Sequence, residues 1–103
     1  MARLIWTEPA LQDLDQIADY ISLDKPEAAR KLVQRVFQKV EFLADFPELG
    51  SCPKELKGTV YRHLVISPLR IFYRIESDKL FIVYVMRSEK LFRMDDLVDR
   101  ECS

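Results

Sequence analysis

Apolar residues recur at intervals of three and four along the first half of the chain. In the second half they gather into short runs of β-branched and aromatic residues. Leu11, Leu14, Ile17, Ala18 and Ile21 fall on one face of a helix predicted over roughly Glu8 to Ser22. Asp13, Asp15, Gln16 and Asp19 lie mostly off that stripe and read as a solvated face. Thr7 is placed to cap the helix, and Pro9 fits its first turn, where no amide hydrogen is needed. Before it, Arg3 to Thr7 reads as a short strand. A second stripe of Ala29, Leu32, Val33, Val36, Phe37, Val40, Leu43 and Ala44 continues for about six helical turns. Arg30, Lys31, Arg35, Lys39 and Glu41 belong mainly to its outer face. Asp24 and Glu27 form a capping-box pattern, Pro26 sits in the first turn, and Pro47 stops the helix. So short a connection folds the two helices into an antiparallel hairpin. Neither stripe can be buried by the other helix alone, so a sheet is expected beneath both.

That sheet is legible in Tyr61 to Arg87, YRHLVISPLRIFYRIESDKLFIVYVMR, three strands broken at Ser67-Pro68 and at Glu76-Ser77-Asp78-Lys79. In the middle strand Leu69, Ile71, Tyr73 and Ile75 point one way, toward the helical hairpin, and Arg70, Phe72 and Arg74 the other. In the last strand simple alternation puts Leu80, Ile82, Tyr84 and Met86 on one side and Phe81, Val83 and Val85 on the other. That strand is apolar on both faces, as if covered on both. The helical hairpin can cover only one. The second face is left for the C-terminal segment Leu91 to Arg100 (a short helix or tail), for a partner, or for both. The expected fold is α+β in the order β-α-α-β-β-β, with the hairpin on one face of a small, mainly antiparallel sheet.

The totals narrow the class. With 103 residues, 49% of them apolar, residues 1–103 are expected to form a single domain with a real core. No apolar run is long enough to span a membrane, and the N-terminus lacks a secretory pattern, so a cytoplasmic protein is expected. Cys52 and Cys102 show no CxxC spacing and there is one histidine, so two ordinary thiols, no metal and no cofactor are expected. Net charge is −1, but residues 59–94 hold seven basic and three acidic residues, whereas 95–103 hold one basic and four acidic. The meander is thus locally basic, able to steer an acidic partner, on a chain too neutral for bulk nucleic-acid binding. Its candidate functional groups are the cations Arg62, Arg70, Arg74 and Arg87. Solvated charge and end-of-strand ion pairs with Glu76, Glu89 or Asp95 compete with a functional role for the arginines. Trp6 and the rings of Tyr20 and Tyr73 fit the core, and His63 a structural role.

Three stretches together resemble the ParE/RelE superfamily of bacterial toxins from type II toxin–antitoxin systems. The first is IWTEPALQDLDQIADYI, where Ala10, Asp13, Leu14, Ile17, Tyr20 and Ile21 are similar to the family's first helix. The second runs from Ala28-Ala29 to Leu43 and on through the helix exit Phe46-Pro47-Glu48-Leu49-Gly50. The third is Tyr61-Arg62-His63-Leu64, Leu69 to Ile75 and Ile82 to Arg87. No single motif is specific; the order and spacing of all three carry the resemblance.

The resemblance implies a toxin neutralised by a cognate antitoxin, in a hetero-oligomer, through a flexible tail that covers exposed apolar surface. Phe72, Phe81, Val83, Val85, Leu91 and Phe92 are the expected antitoxin contacts. Two activities exist on this fold. ParE-like members bind and stall DNA gyrase, which needs only a docking surface, here Arg62, Arg70, Arg74 and Arg87. RelE-like members cut mRNA on the ribosome, which needs a base, an acid and cations; the resemblance implies Arg62, Arg74, Tyr84 and Arg87 for that set, with Tyr61, His63 and Tyr73 as further proton-donor candidates. The acids Asp95, Asp96, Asp99 and Glu101 stand where such nucleases are basic, and the near-neutral charge and long hairpin favour gyrase binding. A non-toxic interaction module is the remaining alternative.

Overall fold

The computed structural model describes residues 2–102. Its elements are β1 (Arg3–Trp6), α1 (Glu8–Ser22), α2 (Pro26–Asp45), a 3-10 turn (Lys54–Leu56), β2 (Tyr61–Ile66), β3 (Leu69–Glu76), β4 (Lys79–Arg87) and α3 (Met94–Glu101). The strands form one sheet in the order β1-β4-β3-β2. β1 runs parallel to β4, which only the α1–α2 crossover between them permits, and the other pairs are antiparallel.

The helical hairpin lies on one face, as its two stripes require. Ala10 and Leu14 of α1 and Leu32, Val36, Val40 and Leu43 of α2 pack on Ile66, Leu69, Ile71, Tyr73, Leu80, Ile82 and Val85. A second core occupies the other face, where Leu56, Phe72, Val83, Met86, Phe92 and Leu97 are buried together. The apolar surplus expected on β4 is therefore covered by the chain's own C-terminal segment, with Leu97 fully enclosed.

Alternation fails once in β4. Phe72 pairs with Tyr84, but its neighbour Tyr73 pairs with Ile82, leaving Val83 as an extra residue. This bulge reverses the parity of everything after it. Leu80 and Ile82 face the hairpin. Tyr84 and Met86 do not; they join Phe81 and Val83 in the second core, and Val85 moves to the hairpin side.

Two helix caps also differ from expectation. The Thr7 hydroxyl makes no cap bond; it donates to the Ile82 carbonyl at 2.7 Å, and the Thr7 amide donates to the same oxygen at 3.1 Å. Thr7 thus extends the β1–β4 ladder rather than capping α1. α2 begins at Pro26 with Lys25 at the N-cap, so Asp24 stands one residue too early for a capping box. The amides of Asp24 and Lys25 instead close the end of α1 by donating to the Ile21 carbonyl, at 3.2 and 2.8 Å. Tyr20, expected in the core, is 66% exposed. The Arg87 guanidinium stands 5.6 Å from the centre of its ring. Trp6 is half-buried and packs on Phe37 with ring centroids 5.1 Å apart.

The loop after α2 is fixed by a close approach. The buried Tyr73 hydroxyl donates to the Pro47 carbonyl at 2.8 Å and accepts from the Gly50 amide at 3.0 Å. A Cβ on Gly50 would stand 2.4 Å from that hydroxyl and 2.6 Å from the His63 carbonyl, so no larger residue fits there. The Pro-x-x-Gly helix exit is thus a device for satisfying a tyrosine buried under α2.

Candidate functional site

The four meander arginines do not converge. Register places Arg62 opposite Tyr73, on the hairpin face, and the bulge carries Arg87 to that face as well. Arg70 and Arg74 project from the opposite face, Arg74 beneath α3 and Arg70 beside Phe72.

Each is held by its own chain. Arg62 Nη2 donates to the carbonyls of Gly50 at 2.8 Å and Glu48 at 3.2 Å, bracing the helix-exit loop, while its Nε is buried with no acceptor. Arg70 lies against Phe72, donates to His63 Nδ1 at 3.1 Å and pairs with Glu55 at 2.6 Å. Arg74 pairs with Glu101 at 2.6 Å and Glu76 at 2.7 Å, above the Phe81 ring. Burial works against the charge on Arg74, but its carboxylate partners outweigh that and hold its pKa above the ordinary value. Arg87 Nε is 2.6 Å from Glu89 Oε1, an ion pair out of line with the N–H, so that nitrogen makes no directed hydrogen bond. The Arg87 side chain is more exposed than those of Arg70 and Arg74. With Gln16, Ile17, Tyr20 and Lys90 it lines an open cleft of about 350 Å³.

The titratable partners are shifted away from neutrality. Burial, the hydrogen bond donated to Glu101 at 2.9 Å and that carboxylate's charge push Tyr61 up to about 12. Burial also raises Tyr73, and burial with the charges of Asp96 and Asp13 raises Tyr84. His63 is lowered by burial and by the Arg70 guanidinium. It is therefore a neutral imidazole whose Nδ1 accepts from Arg70. These environments favour phenols over phenolates and imidazole over imidazolium.

Of the expected antitoxin contacts, Phe72, Val83 and Phe92 are enclosed in the second core, and Val85 is buried against the hairpin. Phe81 is half-buried under Arg74, and Leu91 is 86% exposed. Neither cysteine is in a disulfide. Among the described residues no cluster of three or more His, Cys, Asp or Glu could hold a metal, and no helix is long and apolar enough to cross a membrane.

One pair was missed by sequence reasoning. Asp13, assigned to a solvated face, accepts two bonds from Arg100, at 2.6 and 3.1 Å, and one from the Val85 amide at 3.1 Å. Arg100 also donates to the Val83 carbonyl at 3.1 Å and stacks on Tyr84 at 4.4 Å. β1 has ended by this point, so Val83 and Val85 present backbone groups with no strand beside them. The ion pair takes the missing strand's place and ties α3 to α1. Asp13 stands in the first-helix stretch that resembles the family, the one sequence signal that sets it apart from its acidic neighbours.

With this geometry in hand, comparison with known proteins is informative. The family model described as ParE toxin of type II toxin-antitoxin system, parDE, matches residues 4–92. A putative toxin, Y4kP, from Sinorhizobium fredii is 42% identical over 78 residues, which are 74% of this chain and 78% of that protein. Toxin RelE2 from Caulobacter vibrioides is 32% identical over 88% of this chain and 100% of its own length. A solved structure of the chromosomal ParDE TA system from P. aeruginosa matches with a TM-score of 0.73 at 30% identity, covering 86% of this chain and 98% of that one. Fold and relatives together define the class as a toxin of a type II toxin–antitoxin system, which implies an antitoxin partner. Within it, the chain belongs to the ParE toxin family.

Proposed function

We propose that this chain arrests bacterial growth by docking on DNA gyrase, and that its cognate antitoxin reverses the arrest. The observation that carries this reading is the dispersal of the candidate catalytic groups. Strand cleavage through a 2′-hydroxyl needs a base, an acid and cations around one phosphate. Arg62 and Arg87 lie on the hairpin face, whereas Arg74 and Tyr84 lie on the other, under α3. A docking surface needs no such convergence, and the parDE description of the family fits it. Arg87, beside the open cleft with Tyr20 and Lys90, is the meander arginine best placed to meet gyrase.

The test is induced expression without antitoxin, together with a supercoiling assay on purified gyrase. Filamentation, DNA breaks and loss of supercoiling are expected, and Arg87→Ala should weaken all three while leaving the fold intact. Ribosome-dependent cleavage of mRNA, with gyrase unaffected, would replace this reading with the endoribonuclease one. That second reading draws on the relative named Toxin RelE2, matched over its whole length.

A further inference from the structure

Lys31, Arg35 and Lys39 stand at four-residue intervals on α2, all exposed, and among the described residues none forms an ion pair. Like charges at this spacing repel. Among the described residues Arg30, Arg70, Arg74, Arg87 and Arg100 each have a carboxylate within ion-pair distance, whereas these three cations, aligned on one helix face, do not. The stripe is bracketed by two apolar hollows on the same helix face. One, of about 350 Å³, is lined by Ile21, Ala28, Leu32 and Pro68 with Lys31 and Arg35. The other, of about 280 Å³, is lined by Phe42, Leu49, Leu64 and Val65 with Lys39. From residue 31 to residue 42 the helix rises about 16 Å. Beyond it Phe46 is 59% exposed and stacked on Phe42, itself 59% exposed.

We propose that this face of α2 is the docking surface for an acidic amphipathic helix of the antitoxin. The helix places apolar side chains in both hollows and carboxylates over the stripe between them. The inference rests on the toxin reading and moves the antitoxin contact away from the sheet face that α3 occupies. A helix fits better than an added strand because the neighbouring edge of β2 is already taken at His63 and just past its end at Ser67. Ser51 exchanges two 2.9 Å backbone bonds with His63, and Arg35 donates to the Ser67 carbonyl at 2.5 Å. A helix satisfies its own backbone and needs only side-chain contacts. The apolar hollows favour a protein over nucleic acid, for which a stripe of cations alone would serve.

The test measures binding of the purified full-length cognate antitoxin to the whole toxin chain by calorimetry, at low and high salt. Two variants, Lys31→Glu/Lys39→Glu and Phe42→Asp, leave the Arg35–Ser67 contact in place, and their folding is checked by circular dichroism. The charge reversal should weaken binding by about 100-fold at low salt and flatten its salt dependence. Phe42→Asp should weaken binding at both salts. Wild-type affinity in both folded variants overturns the inference and leaves the toxin reading standing. Loss of affinity for a DNA or RNA duplex, with antitoxin affinity unchanged, also overturns it and makes the stripe a nucleic-acid surface. If the wild-type chain binds no antitoxin, the inference fails together with the antitoxin reading on which it rests.

Discussion

Replacing Asp13 by Ala tests the claim that an ion pair stands in for a missing strand. The substitution removes two bonds to Arg100, at 2.6 and 3.1 Å, and leaves the Val85 amide without its 3.1 Å acceptor. The side chains of Arg100 and Asp13 are 23% and 17% exposed, so the pair is neither a surface ion pair nor a fully buried one. Unit charges about 4 Å apart at an effective dielectric of about 20 attract by ~4 kcal/mol before desolvation is subtracted. Breaking a fully buried pair costs about 3–5 kcal/mol, and an exposed pair contributes about 0–1. The partial burial here, with an orphaned strand amide added, gives an expected loss of about 2–3 kcal/mol. Urea unfolding should show a midpoint lower by about 1–2 M, given the usual slope for a chain of this size. Asp13→Asn keeps an acceptor for Val85 and should lose only about half as much. A double-mutant cycle with Arg100→Ala should return a coupling of about 1–2 kcal/mol. Amide exchange should accelerate first in α3, because Arg100 is one of the two ion-pair ties at the end of that helix. If Asp13→Ala costs less than about 0.5 kcal/mol, or the coupling is zero, the pair is incidental and Val85 is served by water.

Other consequences concern the two cores. Gly50→Ala should destabilise by about 2–3 kcal/mol in the same urea assay, because its Cβ would meet the Tyr73 hydroxyl at 2.4 Å and the His63 carbonyl at 2.6 Å. Leu97→Ala, at a fully enclosed position, should cost about 2–4 kcal/mol through the cavity it leaves in the second core. His63 is held below its ordinary pKa of 6.5, so the unfolded chain takes up that proton at higher pH than the folded one. Its contribution to stability is present above pH 6.5 and is lost as pH falls through the lowered folded value. Urea midpoints measured between pH 7.5 and 5 should therefore fall less steeply for His63→Gln than for the wild type.

Much of this architecture is written in periodicity. The Leu11 to Ile21 stripe places α1 at its observed bounds and the Ala29 to Ala44 stripe lies wholly within α2, because burial against a sheet demands a wide apolar face. Ser67-Pro68 and Glu76 to Lys79 mark both turns of the meander. The surplus of β4 correctly signals a second cover, which α3 supplies. The bulge at Val83 left no trace, because a strand apolar on both faces reads the same in either register. The caps were misjudged for a related reason. Thr7 and Asp24 carry suitable side chains, but a ladder position claims one and a one-residue shift excludes the other. Composition shows four arginines on adjacent strands, whereas only register shows that they divide two and two between opposite faces.

The basic meander and the acidic tail are joined, among the described residues, by the ion pair of Arg74 with Glu101. α3 has eight residues, too few to persist as a helix without tertiary support. Phe92 and Leu97 bury it, and two adjacent residues of opposite sign fix its rotation: Arg100 reaches back to Asp13, and Glu101 reaches across to Arg74 and Tyr61. An anion competing for Arg74 must displace Glu101 and with it the end of α3. One competing for Arg70 must displace Glu55 and the contact with His63. An acidic ligand on Lys31, Arg35 and Lys39 displaces little more than water. Under the proposed docking mode this difference in cost favours the exposed face of α2 for an acidic partner, and leaves Arg70 and Arg74 to the stability of the fold.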